Sequence, residues 1–198
     1  MMKKEENFRE FLGYIGLIVM IIGLVLAIFF ANTYWYSFFV IGGTLFLAYV
    51  NKKIKNKSLF NVLAKDKIKF FYIWISYIFL SVIIEIVGRF ILDFWYYPTY
   101  NFFDEIINVY LIGYPFALFM TYETFILIYS KVKNFLVTFV GTTIISGFIH
   151  EIPNTFAYEW VYTIRYEIFE ILNINVVVIF GWFILVLLAF IIQNKVFK

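Results

Sequence analysis

Long apolar runs alternate with short polar connections from one end of the chain to the other. Runs at 11–31, 35–50, 70–92, 102–129, 135–152 and 174–193 predict six membrane-spanning helices, because about 20 apolar residues cross the hydrocarbon of a bilayer. The first run is too long for a signal-peptide core, and Tyr34-Trp35-Tyr36 follows it where a small-residue cleavage site would stand. Gly23 and Ala27 give it a small-residue packing face. Gly113-Tyr114-Pro115 predicts a kink in the fourth run. Between the fifth and sixth runs, 153–173 alternates apolar Trp160, Val161, Ile164, Ile168, Ile171 and Leu172 with polar Glu159, Thr163, Glu167 and Glu170. That pattern predicts an amphipathic helix lying in the membrane interface. The fold class expected is an all-α, six-helix membrane bundle forming a single domain over 1–198. The two three-helix halves show no sequence match with one another.

Charge adds an orientation. Lys52, Lys53, Lys55, Lys57, Lys65, Lys67 and Lys69 crowd the second connection, Lys131 and Lys133 the fourth, and Lys195 and Lys198 the C-terminus. The first, third and fifth connections hold Arg165 alone. Basic loops face the cytoplasm, so both termini are expected there, in a cell membrane. The Lys52–Lys69 stretch also predicts contact with anionic lipid headgroups, through a short surface helix carrying Leu59, Phe60 and Leu63.

Composition agrees and excludes. The 198 residues are 64% hydrophobic and 15% charged, with a mean hydropathy of +0.89. There is no cysteine and one histidine, so thiol chemistry and a multi-histidine metal centre are out, and no cofactor or metal is expected. Phosphate-cradling glycine motifs, G-x-S-x-G and H-E-x-x-H are absent, and the basic residues flank spans without a nucleic-acid motif.

The costly groups are those inside the apolar runs. Glu85, Arg89 and Asp93 recur every four residues and share one helical face. Asp104 and Glu105 open the next run, and His150, Glu151 and Asn154 close the fifth, above Thr142, Thr143 and Ser146. The expected topology gathers Glu85, Arg89, Asp93, Glu105, His150, Glu151 and Asn154 at the outer end as a candidate binding site. Glu85 and Asp93 would hold Arg89 against an anionic or carbonyl-bearing ligand, and His150 with a carboxylate would form an acid/base pair. The alternative is a self-neutralising Glu85–Arg89 pair that only pins helices. Glu123, toward the inner end, is a secondary candidate: it would join a proton path or snorkel to the surface.

Two resemblances are architectural. Six spans, the polar outer half and Gly23 to Ala27 are similar to the substrate-binding membrane subunits of bacterial vitamin uptake transporters. Intramembrane carboxylates such as Asp104-Glu105 resemble those of small membrane carotenoid cyclases, whose adjacent glutamates follow a proline that this chain lacks there. Neither implies residue roles. The function expected first is a transport or substrate-capture component for a small molecule or lipid. An intramembrane enzyme acting on a lipid or isoprenoid and an accessory subunit beside other membrane subunits are the competing expectations.

Overall fold

The computed structural model describes residues 2–54, 57–164, 169–172 and 174–197. They form an all-helical protein of seven helices. These are α1 (Met2–Phe30), α2 (Trp35–Lys53), α3 (Leu59–Lys65), α4 (Lys67–Ile91), α5 (Phe102–Val132), α6 (Phe135–Ala157) and α7 (Val176–Phe197). Five of them, α1 and α4 to α7, are long and apolar enough to cross a membrane. The remaining long helix, α2, has a shorter apolar stretch broken by Gly42, Gly43 and Thr44. It is enclosed by its neighbours, with Trp35, Phe39, Val40 and Ala48 buried.

Glycines set the closest helix contact. A Cβ on Gly16 would strike the Gly42 carbonyl at 2.8 Å, and one on Gly23 would strike the backbone of Trp35 and Phe39. With no side chain at these points α1 and α2 pack backbone to backbone, and Ala27 continues the same face.

At the lysine-rich end α3 does form, but its apolar face turns inward. Leu59, Phe60 and Val62 are buried, and Leu59 and Phe60 pack with Ala48, Ile73, Tyr77 and Phe119 rather than facing lipid. Glu123 fixes this corner. Its Oε1 accepts the Leu59 N–H at 2.6 Å, and its Oε2 accepts the Asn51 amide at 2.7 Å. Burying that carboxylate ties α2, α3 and α5 together.

The opposite, aromatic end is built from the connections 31–34 and 92–101 and from the described residues 158–164, 169–172 and 174–175. Here the expected amphipathic helix does not appear among the described residues. α6 runs on past Ile152, through Pro153, to Ala157, and Tyr158 ends it in the left-handed region at φ 52°. Beyond it β2 (Val161–Tyr162) pairs antiparallel with β1 (Trp95–Tyr96), and β3 (Glu170–Ile171) pairs with β4 (Ile174–Asn175). The reason is hydrogen bonding. Asn154 holds the Glu159 and Trp160 N–H groups on its Oδ1, which replaces helical bonds by a turn. Residues 165–168, part of the expected helix and the place of Arg165, lie outside the described residues.

Two wide π-helical segments flank the aromatic end, Ile86–Ile91 within α4 and Glu105–Gly113 within α5. The second ends where Tyr114-Pro115 resumes the α-helix. The sequence places the break in helix geometry correctly, but it takes the form of a π-segment rather than a simple proline kink. Such segments recur at functional sites.

Candidate functional site

The π-segment in α4 starts directly after Glu85, which is fully buried. Its Oε1 accepts three hydrogen bonds: from Trp95 Nε1 at 3.2 Å, Tyr97 Oη at 2.8 Å and Tyr114 Oη at 3.0 Å. Glu151 near the end of α6 has a matching cage. Trp160 Nε1 donates to Oε2 at 3.2 Å, while Tyr162 Oη and Trp182 Nε1 donate to Oε1, each at 2.9 Å. Indole N–H groups only donate, so in both cages the carboxyl group acts as acceptor. Burial, with neighbouring groups, raises the Tyr97 and Tyr162 hydroxyls well above their ordinary range, so both keep the proton they donate.

The two cages are copies. Glu85-Ile86, Phe90, Trp95 and Tyr97 correspond to Glu151-Ile152, Phe156, Trp160 and Tyr162. Further on, Ile107-Asn108-Val109 and Ile112-Gly113-Tyr114 correspond to Ile174-Asn175-Val176 and Ile179-Phe180-Gly181-Trp182. Each copy takes an indole and a phenol from the connection and a third donor from the following helix. Each also has a left-handed residue two before its Trp, Asp93 at φ 53° and Tyr158 at φ 52°. β1 and β2 pair Trp95 with Tyr162, the register expected between equivalent strands related by a twofold. The repeating unit is a two-helix hairpin, α4–α5 and α6–α7, and not the three-helix half.

Between these hairpins lies a cavity of about 520 Å³. Its body is apolar, with Leu80 and Ile84 of α4, Val109 and Ala117 of α5, and Val178 and Leu185 of α7. Its aromatic end is formed by Tyr36, Trp95, Tyr97, Tyr114, Trp160 and Tyr162, with the carboxyl groups of Glu151 and Glu159. Ile83, Val87 and Ile184 line it and are 57%, 44% and 57% exposed. The cavity therefore opens sideways between α4 and α7. Toward the lysine-rich end these helices close, where Tyr77 donates to the Ala189 carbonyl and accepts from Gln193.

Glu159 is the residue that sequence reasoning passed over, assigning it to the polar face of a surface helix. It is 1% exposed, and its Oε2 has no hydrogen-bond partner among the described residues. Burial pushes its carboxyl up to about 8, against the Tyr100 hydroxyl and the Tyr36 backbone N–H, which pull it down. The signal that would have found it is the repeat, which sets it directly before the second Trp, where Phe94 stands before the first.

The expected cluster is partly assembled. Arg89 is not held by Glu85 or Asp93. Its guanidinium forks onto Glu105 at 2.8 and 3.0 Å and rests 5.2 Å from the ring centre of Tyr97. The wide π-turn carries it away from Glu85. Asp93 is exposed and contributes its backbone carbonyl to the Thr163 hydroxyl. Asp104 caps α5 with Asn101 and accepts from Tyr34 at 3.2 Å. His150 is buried, with Nδ1 2.9 Å from Tyr36 Oη and its ring stacked on Trp182 at 4.4 Å. It contacts the Glu151 cage through Trp182 but does not line the cavity. Glu123 belongs to the other end of the molecule. Among the described residues no group of three or more His, Asp or Glu is placed to hold a metal ion.

Compared with known proteins, the chain matches no protein-family model, no curated protein and no solved structure.

Proposed function

We propose that this membrane protein captures an apolar small molecule or lipid from the bilayer and holds it in the cavity between its two hairpins, as a substrate-capture or transport component. The sideways opening between α4 and α7 carries this reading. Ile83, Val87 and Ile184 make its rim apolar, so a ligand enters without leaving hydrocarbon. A Cβ at Gly181 meets nothing within 4 Å, and Gly181 lines the cavity. Gly181→Phe therefore fills the space while sparing the packing. Mass analysis of the purified protein should find a bound apolar molecule that Gly181→Phe loses at unchanged thermal stability. The same bound molecule in both proteins overturns the reading.

A second reading, an intramembrane enzyme on a lipid or isoprenoid, is favoured by the unpartnered Glu159 oxygen beside the cavity, a group suited to proton transfer. Product formation lost in Glu159→Gln, with ligand still bound, would select it.

For the arrangement in the membrane we propose six spans in a cell membrane, with α2 counted among them, and cytoplasmic termini. The lysines of the α2–α4 connection and of the α5–α6 turn support it, and they leave anionic headgroups as their proposed contact. Cysteine labelling is clean in a chain without cysteine. Lys57→Cys should react from the cytoplasm and Thr99→Cys from outside; the reverse would overturn the orientation.

A further inference from the structure

We propose that the cavity is a site for a lipophilic cation: an ammonium or similar positive group, without a phosphate, on an apolar chain or ring system. This rests on the capture reading and names the chemistry of the captured molecule.

Three observations converge on charge. First, two carboxyl groups line the cavity, Glu151 and Glu159, and among the described residues no Lys, Arg or His does so. The nearby arginine, Arg89, is forked onto Glu105 and is not part of the lining. Second, Glu151 is saturated by its three donors, whereas Glu159 keeps Oε2 free of any partner among the described residues while 1% exposed. A buried carboxyl oxygen without a donor is costly, and a cation entering the cavity would relieve it. Third, the rest of that end is aromatic: Tyr36, Trp95, Tyr97, Tyr114, Trp160 and Tyr162. Aromatic faces attract organic cations, most strongly in desolvated surroundings. The apolar body formed by Leu80, Ile84, Val178 and Leu185 suits the remainder of such a molecule.

The same lining argues against a phospholipid headgroup. A phosphate would sit beside Glu151 and Glu159 with no basic side chain among the described residues to receive it.

The test uses the full-length protein in an uncharged detergent at pH 9, where the Glu159 carboxyl is ionised, with tryptophan fluorescence as readout, since Trp95, Trp160 and Trp182 line the cavity. The probes are dodecyltrimethylammonium, its neutral isostere with carbon in place of nitrogen, and dodecylphosphocholine. The ammonium should bind about tenfold more tightly than the isostere or better, and more tightly than the phosphocholine. Glu159→Gln should erase the preference over the isostere and leave isostere affinity unchanged. Equal binding of ammonium and isostere by the wild-type protein, a comparison that needs no variant, overturns the cation reading and leaves the capture reading standing. Binding of phosphocholine as tight as that of the ammonium overturns the exclusion of phosphate. Failure of all three probes to bind overturns the capture reading as well.

Discussion

Glu85 and Glu151 sit in matching cages of indole and phenol donors, yet only Glu151 lines the cavity, and the residues that follow each glutamate explain the difference. After Glu85 the helix widens, Gly88 lets the Trp95 ring lie against the backbone, and Arg89 swings out to Glu105. Asp93 then reaches solvent in the left-handed region, and the apolar Phe94 stands directly before Trp95. After Glu151 the chain reaches its left-handed residue, Tyr158, one residue sooner, and Asn154 gathers the N–H groups of the turn. Glu159, which stands directly before its Trp as Phe94 does in the first copy, is thereby drawn inside. One extra residue and one asparagine turn a duplicated scaffold into a sealed half and an open half.

The largest effects should come from emptying either cage. Glu85→Ala and Glu151→Ala each leave three buried donors without an acceptor, which costs about 3–5 kcal/mol. Thermal unfolding in detergent should show a comparable loss for both. Loss in one alone would show that the cages are not equivalent supports.

Glycine substitutions should separate the halves next. A Cβ at Gly88 would overlap the Trp95 ring, so Gly88→Ala should destabilise by about 1–3 kcal/mol. Its counterpart position in the second copy is Asn154, and Asn154→Ala should release the Glu159 turn at a similar cost and expose Glu159 to modification. Protection of Glu159 in that variant would break the account of the turn.

Titration gives a subtler contrast. The Glu159 carboxyl titrates at about 8 in the folded protein, above the ordinary 4.5. In that window the folded state binds the extra proton, so stability falls as pH rises from about 4.5 to 8 and is level beyond it. Compared with Glu159→Gln, the wild-type protein should lose up to about 1.4 kcal/mol per pH unit there. Parallel curves for wild type and Glu159→Gln would refute the buried carboxyl.

The smallest effect belongs to Arg89→Met. Its ion pair with Glu105 is partly exposed, with side chains 20% and 18% accessible, and such pairs contribute about 1 kcal/mol or less. Ligand binding should be unchanged. A large binding defect would return Arg89 to the site.

Hydropathy alone determined the kind of object. Apolar runs of bilayer length with lysines gathered in alternate connections require helices, because a backbone in hydrocarbon must satisfy its own hydrogen bonds. The intramembrane charges were equally legible, since their cost makes them rare. Their partners were not. Periodicity places Arg89 above Glu85 on an ideal helix, but the π-segment changes the residues per turn, and only tertiary contact with Glu105 favours it. The amphipathic pattern after Ile152 reads as a helix because alternating faces carry no record of Asn154 capturing two backbone N–H groups. The repeat was present in the residues, but short, interrupted matches gain meaning only when the folded chain sets Trp95, Tyr97 and Tyr114 around one carboxyl and Trp160, Tyr162 and Trp182 around another. The cavity, too, was decided by tertiary structure, because it exists where two hairpins meet at one end and part at the other, a relation between helices that no single stretch of sequence contains.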